Sequence, residues 1–287
     1  MALLITIIQS YSEELDLPQS FLKCINRQVK EMRISIVGVK GGSGKSTISL
    51  LLSKALAEQG ENVLLVDRDP LGWSSRILGL KGDGLVKSVV EGKEPKDFYA
   101  EKNYNLGKLS VIKFFGEGPR FYTDMSIVHR SQPLMNKIEE LYTQILKKKF
   151  DFYVVDNPSY VDFNDEVVKH ELSIFLKNFP DEEILRIYVT DPSEPSIAAT
   201  VDYVKKLESQ SNVGKGYCVI INLVPPYPED IDKVKISLNE ALEETKLPKG
   251  FVLPFIEKLF QLTEIEDLEV PEEVKELARQ LKDLKRK

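Results

Sequence analysis

Cysteine and histidine are scarce: two of each occur in 287 residues. Cys24 and Cys218 lie far apart and form no C-x-x-C. With His129 and His170 they give neither a zinc nor an iron–sulfur spacing. Such scarcity suits a reducing, cytoplasmic interior. Long apolar runs are missing too, since none reaches the ~18 residues of a membrane helix. The opening MALLITII is apolar but short, has no basic start or small-residue cleavage site, and runs into YSEELD, so no signal peptide is expected. Positive charge is not in excess: the formal net charge is −6. Such a surface does not attract DNA or anionic lipid as a whole, and a partner of that kind must meet a local basic patch. Internal repeats and low-complexity linkers are also absent.

What is present is an alternation of strand-like and helix-like stretches. RISIVG (33–38) is apolar and β-branched, and Ser46 to Gln59 is amphipathic and stopped by Gly60. VLLVD (63–67), FYVVD (152–156), RIYVT (186–190) and YCVIIN (217–222) are continuous apolar runs, as expected of strands buried on both faces. Leu109 to Phe115 is a weaker strand, and Met135 to Lys149 and Ser196 to Ser209 have helical patterning. The spacing predicts an α/β fold, a doubly wound and mostly parallel sheet with helices on both faces. In such sheets ligands bind outside the carboxyl ends of the strands. Residues 1–31 precede the first core strand and are expected to be an accessory extension to a domain over 32–287.

Between the first strand and the first helix lies VGVKGGSGKSTISL (37–50). Gly41, Gly42 and Gly44 let the backbone approach phosphate oxygens. Amides converge there on the positive end of the following helix. Lys45 is placed for the β- and γ-phosphates, Ser46 for Mg²⁺ and Thr47 for a phosphate oxygen. The strict pattern G-x-x-x-x-G-K-[ST] wants glycine where Val39 stands, and a second lysine, Lys40, precedes Lys45 by five residues. Two ammonium groups ~4 Å apart at an effective dielectric of ~20 would repel by about 4 kcal/mol, so Lys40 calls for an opposite charge.

The segment K-G-G-S-G-K-S-T, from Lys40 through Ser43 to Thr47, resembles the deviant Walker A signature of the ParA/MinD family of dimeric ATPases. The family tolerates Val39. The resemblance implies a P-loop NTPase that binds ATP and Mg²⁺ and forms a homodimer in the ATP state, with Lys40 reaching the partner's nucleotide. VLLVDRDP is similar to the family's switch I. Asp69 then matches the aspartate that positions the attacking water and senses Mg²⁺, while Leu71 replaces the usual glutamine. Asp67 either supports that site or merely caps a strand. DFYVVDNPSY is similar to the switch II stretch, with Asp156 holding Mg²⁺ through water and Pro158 shaping the loop. CVIINLVPP and FVLPF resemble the family's base-binding strand end and loop, which makes Asn222 and Pro254 candidate contacts; both residue types also simply punctuate turns. No guanine-type N-K-x-D occurs, which favours adenine.

The family divides by task. Iron–sulfur carriers need paired cysteines, absent here. Membrane-positioning members need a basic, bulky-apolar terminal helix, whereas VPEEVKELARQLKDLKRK starts acidic, and its Val274, Leu277, Leu281 and Leu284 suit core packing. The stretch LGWSSRILGL after Asp69 looks more like the DNA-partition branch. That branch implies nonspecific DNA binding in the ATP state, a small centromere-binding partner protein and nucleoid association. Lysine clusters at 147–149, 205–206 and 282–287 are the candidate phosphate contacts, and each is also explained as a helix-end cap. The alternatives are a MinD-like membrane-associated positioning ATPase, or, because Leu71 is irregular, a nucleotide-binding switch with weak hydrolysis.

Overall fold

The computed structural model describes residues 31–260 and 264–286. The extension expected over 1–31 falls outside them apart from Glu31. Eight strands form one sheet in the order β3-β4-β2-β5-β1-β6-β7-β8. They are β1 (Met32–Val37), β2 (Asn62–Asp67), β3 (Tyr99–Asn103), β4 (Lys108–Lys113), β5 (Phe152–Asp156), β6 (Glu183–Thr190), β7 (Lys215–Val224) and β8 (Lys249–Pro254). All pairings are parallel except β3 with β4. The α/β doubly wound reading therefore holds. The antiparallel edge strand β3 has a polar sequence, YAEKN, with no apolar run to mark it.

Period-two alternation splits the strands between two apolar layers. Leu64, Val66 and Val155 face one side, where α5 (Gln132–Leu146), α6 (Glu166–Asn178) and α7 (Glu194–Gln210) cover them. Ile34, Ile36, Leu65 and Val154 face the other, covered by α1 (Lys45–Glu58) and the last helix, Glu272–Lys285. That last helix buries Val274, Leu277, Ala278 and Leu281 against the core, as its apolar face predicts. Among the described residues no helix is long and apolar enough to cross a membrane.

One polar cluster interrupts the first layer. Arg33 of β1 donates from both terminal nitrogens to Glu171 of α6, at 2.8 and 2.6 Å. Tyr142 donates to the same carboxylate at 2.6 Å, and Arg68 does so at 3.2 Å. Burial alone would raise the Glu171 pKa, but the Arg33 and Arg68 charges and the bonds from Arg33 and Tyr142 bring it down to about 2. Glu171→Gln strands two buried guanidinium groups. It is expected to cost about 3–5 kcal/mol, read as a lower denaturation midpoint with an unchanged m-value. The folded pKa lies below the ordinary 4.5. The wild-type contribution is therefore fully present above that pH and is lost as pH falls toward 2, a dependence absent from the variant.

Candidate nucleotide site

The site grows from the carboxyl edge of the sheet. β1 ends beneath Gly38, where a Cβ would lie 2.4 Å from the Val189 carbonyl oxygen. The chain then turns through a loop to α1, whose start is fixed by Gly44 at φ 91°. A Cβ at Gly44 would also collide with Asn222 Nδ2 at 2.2 Å. Asn222 braces the loop, donating to the Ser43 carbonyl at 3.0 Å. It is aimed there by an irregularity in β7, where the register with β8 shifts between Ile221 and Val224 and Leu223 adopts φ 61°.

The two lysines go to different places. Lys45 is buried, and its ammonium donates to the Lys40 carbonyl at 3.1 Å and to Ser159 Oγ at 2.8 Å. Burial lowers its pKa, against the opposing pull of Asp156 and Asp69. Lys40 has a side chain 62% exposed, yet its ammonium donates to Asp191 Oδ2 at 2.8 Å. Asp191 also accepts from Ser193 and Ser196. Burial would raise its pKa, but these bonds hold it at about 2. The opposite charge that Lys40 calls for is thus supplied within its own chain by Asp191, and not necessarily by a partner's phosphate.

Two acids, Asp67 and Asp156, are buried near the loop, and a third, Asp69, is only partly buried. Asp67 Oδ2 accepts from the Ser75 amide and hydroxyl at 2.8 and 2.6 Å, and Oδ1 from the Asp69 amide at 3.2 Å. It is bound into the turn as well as ending a strand. Burial pushes its pKa up to about 6, opposed by the Ser75 bonds. Asp69 stands at the rim and caps the Leu71 amide at 2.8 Å. Asp156 is wholly buried: Oδ1 accepts from Ser49 at 3.2 Å, while Oδ2 has no hydrogen-bond partner. Burial raises the Asp156 pKa and the Asp67 carboxylate raises it further, with Ser46 and Lys45 pulling the other way. An orphaned buried carboxylate oxygen in an acidic pocket is what a divalent cation would satisfy. Among the described residues no cluster of three or more acids, histidines or cysteines could hold a metal unaided. Mg²⁺ binds through one or two carboxylates plus substrate phosphates and water, and Asp156 Oδ2 offers one such oxygen.

A cleft of about 500 Å³ opens over the loop. Gly41, Gly42, Gly44, Lys45, Ser46 and Thr47 line its polar end. Asn222, Pro254, Trp73, Leu253, Ile256 and Leu259 add a largely apolar part of the lining. Asp69 and Leu71 stand at its mouth, and Leu71 is 71% exposed. Lys40, Ser43 and Asp156 are not among its lining residues; Lys40 is bonded to Asp191, and Ser43 and Asp156 are buried. Ser159 and Asp191, partners of the two lysines, were not singled out by sequence. Asp191 directly follows the apolar RIYVT run, as Asp67 and Asp156 end theirs, so a strand-end acid was available as a signal.

The model of the CobQ/CobB/MinD/ParA nucleotide binding domain family (CbiA) matches residues 34–274. The chain therefore belongs to this family of nucleotide-binding domains, whose mostly parallel sheet and phosphate loop it carries. It is similar to the MinD septum site-determining protein of Pyrococcus horikoshii, described in complex with Mg-ADP. That likeness has a TM-score of 0.61 and 21% identity, covering 88% of this chain and 97% of that one. Among curated proteins it is 30% identical over 167 residues to the cytosolic Fe-S cluster assembly factor NUBP2 homolog of Dictyostelium discoideum, covering 58% of each. It is 27% identical over 191 residues to an iron-sulfur cluster carrier protein of Pyrococcus furiosus, covering 61% of this chain and 58% of that protein. The match thus spans well under two thirds of the length of these curated relatives.

Proposed function

We propose that this protein is a Mg²⁺-dependent ATPase that dimerises on ATP and works as a nucleotide switch in DNA partition. The observation that carries the reading is the pair of lysines, one buried in the phosphate cradle and one exposed at its edge. Lys45 and the loop amides would hold the β- and γ-phosphates, and the apolar end beside Asn222 and Pro254 would take adenine. Ser46, Asp69 and Asp156 are the residues that would hold Mg²⁺, which when bound would neutralise phosphate charge. Asp69 would orient the attacking water, and Lys40 of the facing subunit would complete the site.

Asp69→Ala is expected to bind ATP with near-normal affinity and to accumulate as an ATP-bound dimer. Its turnover should fall ~10²–10⁴-fold, the usual range for a positioned acid or base. Size-exclusion chromatography with ATP and a phosphate-release assay read the two effects. Normal turnover removes Asp69 from the catalytic set.

The partition assignment rests on elimination within the family, since the curated relatives named above are iron–sulfur proteins. Cluster carriage needs thiolate ligands. Among the described residues the one cysteine, Cys218, is fully buried in β7, and burial pushes its thiol pKa up, while Cys24 lies outside them. Membrane positioning needs a free amphipathic helix, and the apolar face of the last helix is packed in the core. DNA binding must be weak in the monomer, because much of the lysine clusters is already paired. Lys282 and Lys285 reach Glu61 and Asp151, Lys205 reaches Glu244, and Lys148 reaches Glu101. No ion pair among the described residues holds Lys147, Lys149 or Lys206. Dimerisation would double the number of such lysines. DNA retention in a gel shift is therefore expected with ATP and not with ADP. It should decline steeply with salt, about 0.9 counterions being released per phosphate neutralised. No retention under ATP at low salt defeats the partition reading, as does stoichiometric loading of an iron–sulfur cluster on anaerobic reconstitution.

A further inference from the structure

Arg68, between Asp67 and Asp69, is among the most deeply buried side chains, with no exposed surface. Its backbone amide donates to the Asp156 carbonyl at 3.0 Å, at the end of β5. Its guanidinium donates to the Val167 carbonyl at 2.8 Å and to Glu171 at 3.2 Å, both on α6. β5 and α6 are the two ends of the 157–165 loop. That loop carries Ser159, the partner of Lys45, and Tyr160, held at φ 57° with its amide on the Gly38 carbonyl at 2.8 Å. One residue thus staples both ends of this loop while its chain neighbour, Asp69, stands at the cleft mouth.

The fold gives little reason for an arginine here. Arg33 already satisfies Glu171 with two bonds. A second buried guanidinium leaves two positive charges on one carboxylate, and Arg68 Nε has no partner. An excess buried charge is a poor stabiliser, and apolar replacements of such groups are often neutral or better.

We propose that Arg68 is a positioning residue for turnover, tying the 157–165 loop to the Asp69 turn so that the Lys45 side and the Asp69 side of the cleft keep one geometry. This rests on the ATPase reading above.

Arg68→Met keeps volume and leaves the Arg33–Glu171 pair whole. It is expected to lower kcat ~10–100-fold while KM stays within about threefold, the pattern of a lost reacting geometry and not of lost binding. In nucleotide-free protein the amides of Leu71, Gly72 and Tyr160 should exchange with solvent faster. Arg68→Lys, which has no fork to reach Val167 and Glu171 together, should fall between Arg68→Met and wild type. Arg33→Met is the control: it loses the stronger bond to Glu171 but touches neither loop, so it should keep wild-type exchange at those amides and kcat within about twofold.

The proposal is overturned if both Arg68 variants turn over normally, if Arg33→Met loses as much kcat, or if neither Arg68 variant folds, since Arg68 then serves the fold itself. If the wild-type protein hydrolyses no ATP, the ATPase reading fails instead. The exchange of those amides in Arg68→Met and Arg33→Met then decides the tie alone.

Discussion

Lys40→Ala is expected to bind ATP yet fail to dimerise on it, and to lose hydrolysis ~10³–10⁵-fold, the range for a cation supplied in trans to phosphoryl transfer. Lys40 is absent from the cleft wall, so its own nucleotide has little use for it. Its ammonium instead rests on Asp191 at 2.8 Å, at the end of an exposed side chain. An exposed ion pair of this kind holds only weakly, so a partner's triphosphate, with several negative charges, would outcompete Asp191. Mixing Lys40→Ala with Lys45→Ala tests action in trans. The only bound nucleotide then sits in the Lys40→Ala subunit, faced by the intact Lys40 of the other chain. Partial recovery of ATPase on mixing is the expected result. Normal dimerisation and turnover by Lys40→Ala alone would make it a surface lysine paired with Asp191 and nothing more.

Lys45→Ala is expected to weaken ATP binding by ~10²–10⁴-fold. Two hydrogen bonds from a charged donor to phosphate oxygens, at ~1.5–3 kcal/mol each, amount to ~3–6 kcal/mol. The buried ammonium donates to the Lys40 carbonyl and Ser159 before nucleotide arrives, so at least one of its three protons must exchange that partner for phosphate. Burial lowers its pKa, and a bound phosphate would raise it again by favouring the charged form. Isothermal titration with ATP reads the loss, and thermal melting without nucleotide separates it from damage to the loop. Unchanged affinity would defeat the phosphate-cradle assignment.

The strands VLLVD and FYVVD were legible because a parallel strand covered on both faces must be apolar throughout, and their terminal acids marked the ligand edge. The loop was legible because its backbone geometry demands glycine at fixed places and its chemistry demands Lys45, Ser46 and Thr47 in order. β3 was not legible, since an edge strand paired on one side tolerates a polar sequence. Helix ends moved by a few residues: the stretch expected over Met135 to Lys149 runs as Gln132–Leu146, its start set by Pro133 in the first turn.

By itself, then, the sequence determined the β-α order, the phosphate loop and the strand-end acids, each written in a local run of residues. Only the tertiary structure decided which distant side chains meet. Asp191 comes to Lys40, Ser159 to Lys45, Asn222 to the Ser43 carbonyl, and Glu171 to both Arg33 and Arg68. Glu171 in VVKHELSIF reads as one more helix carboxylate, and Arg68 in VDRDP as one more loop arginine. Their burial follows from the order in which β1, β2 and β5 lie side by side beneath α6. Such contacts carry no local pattern, because the free energy that selects them is gained only when segments far apart in the chain pack into one sheet.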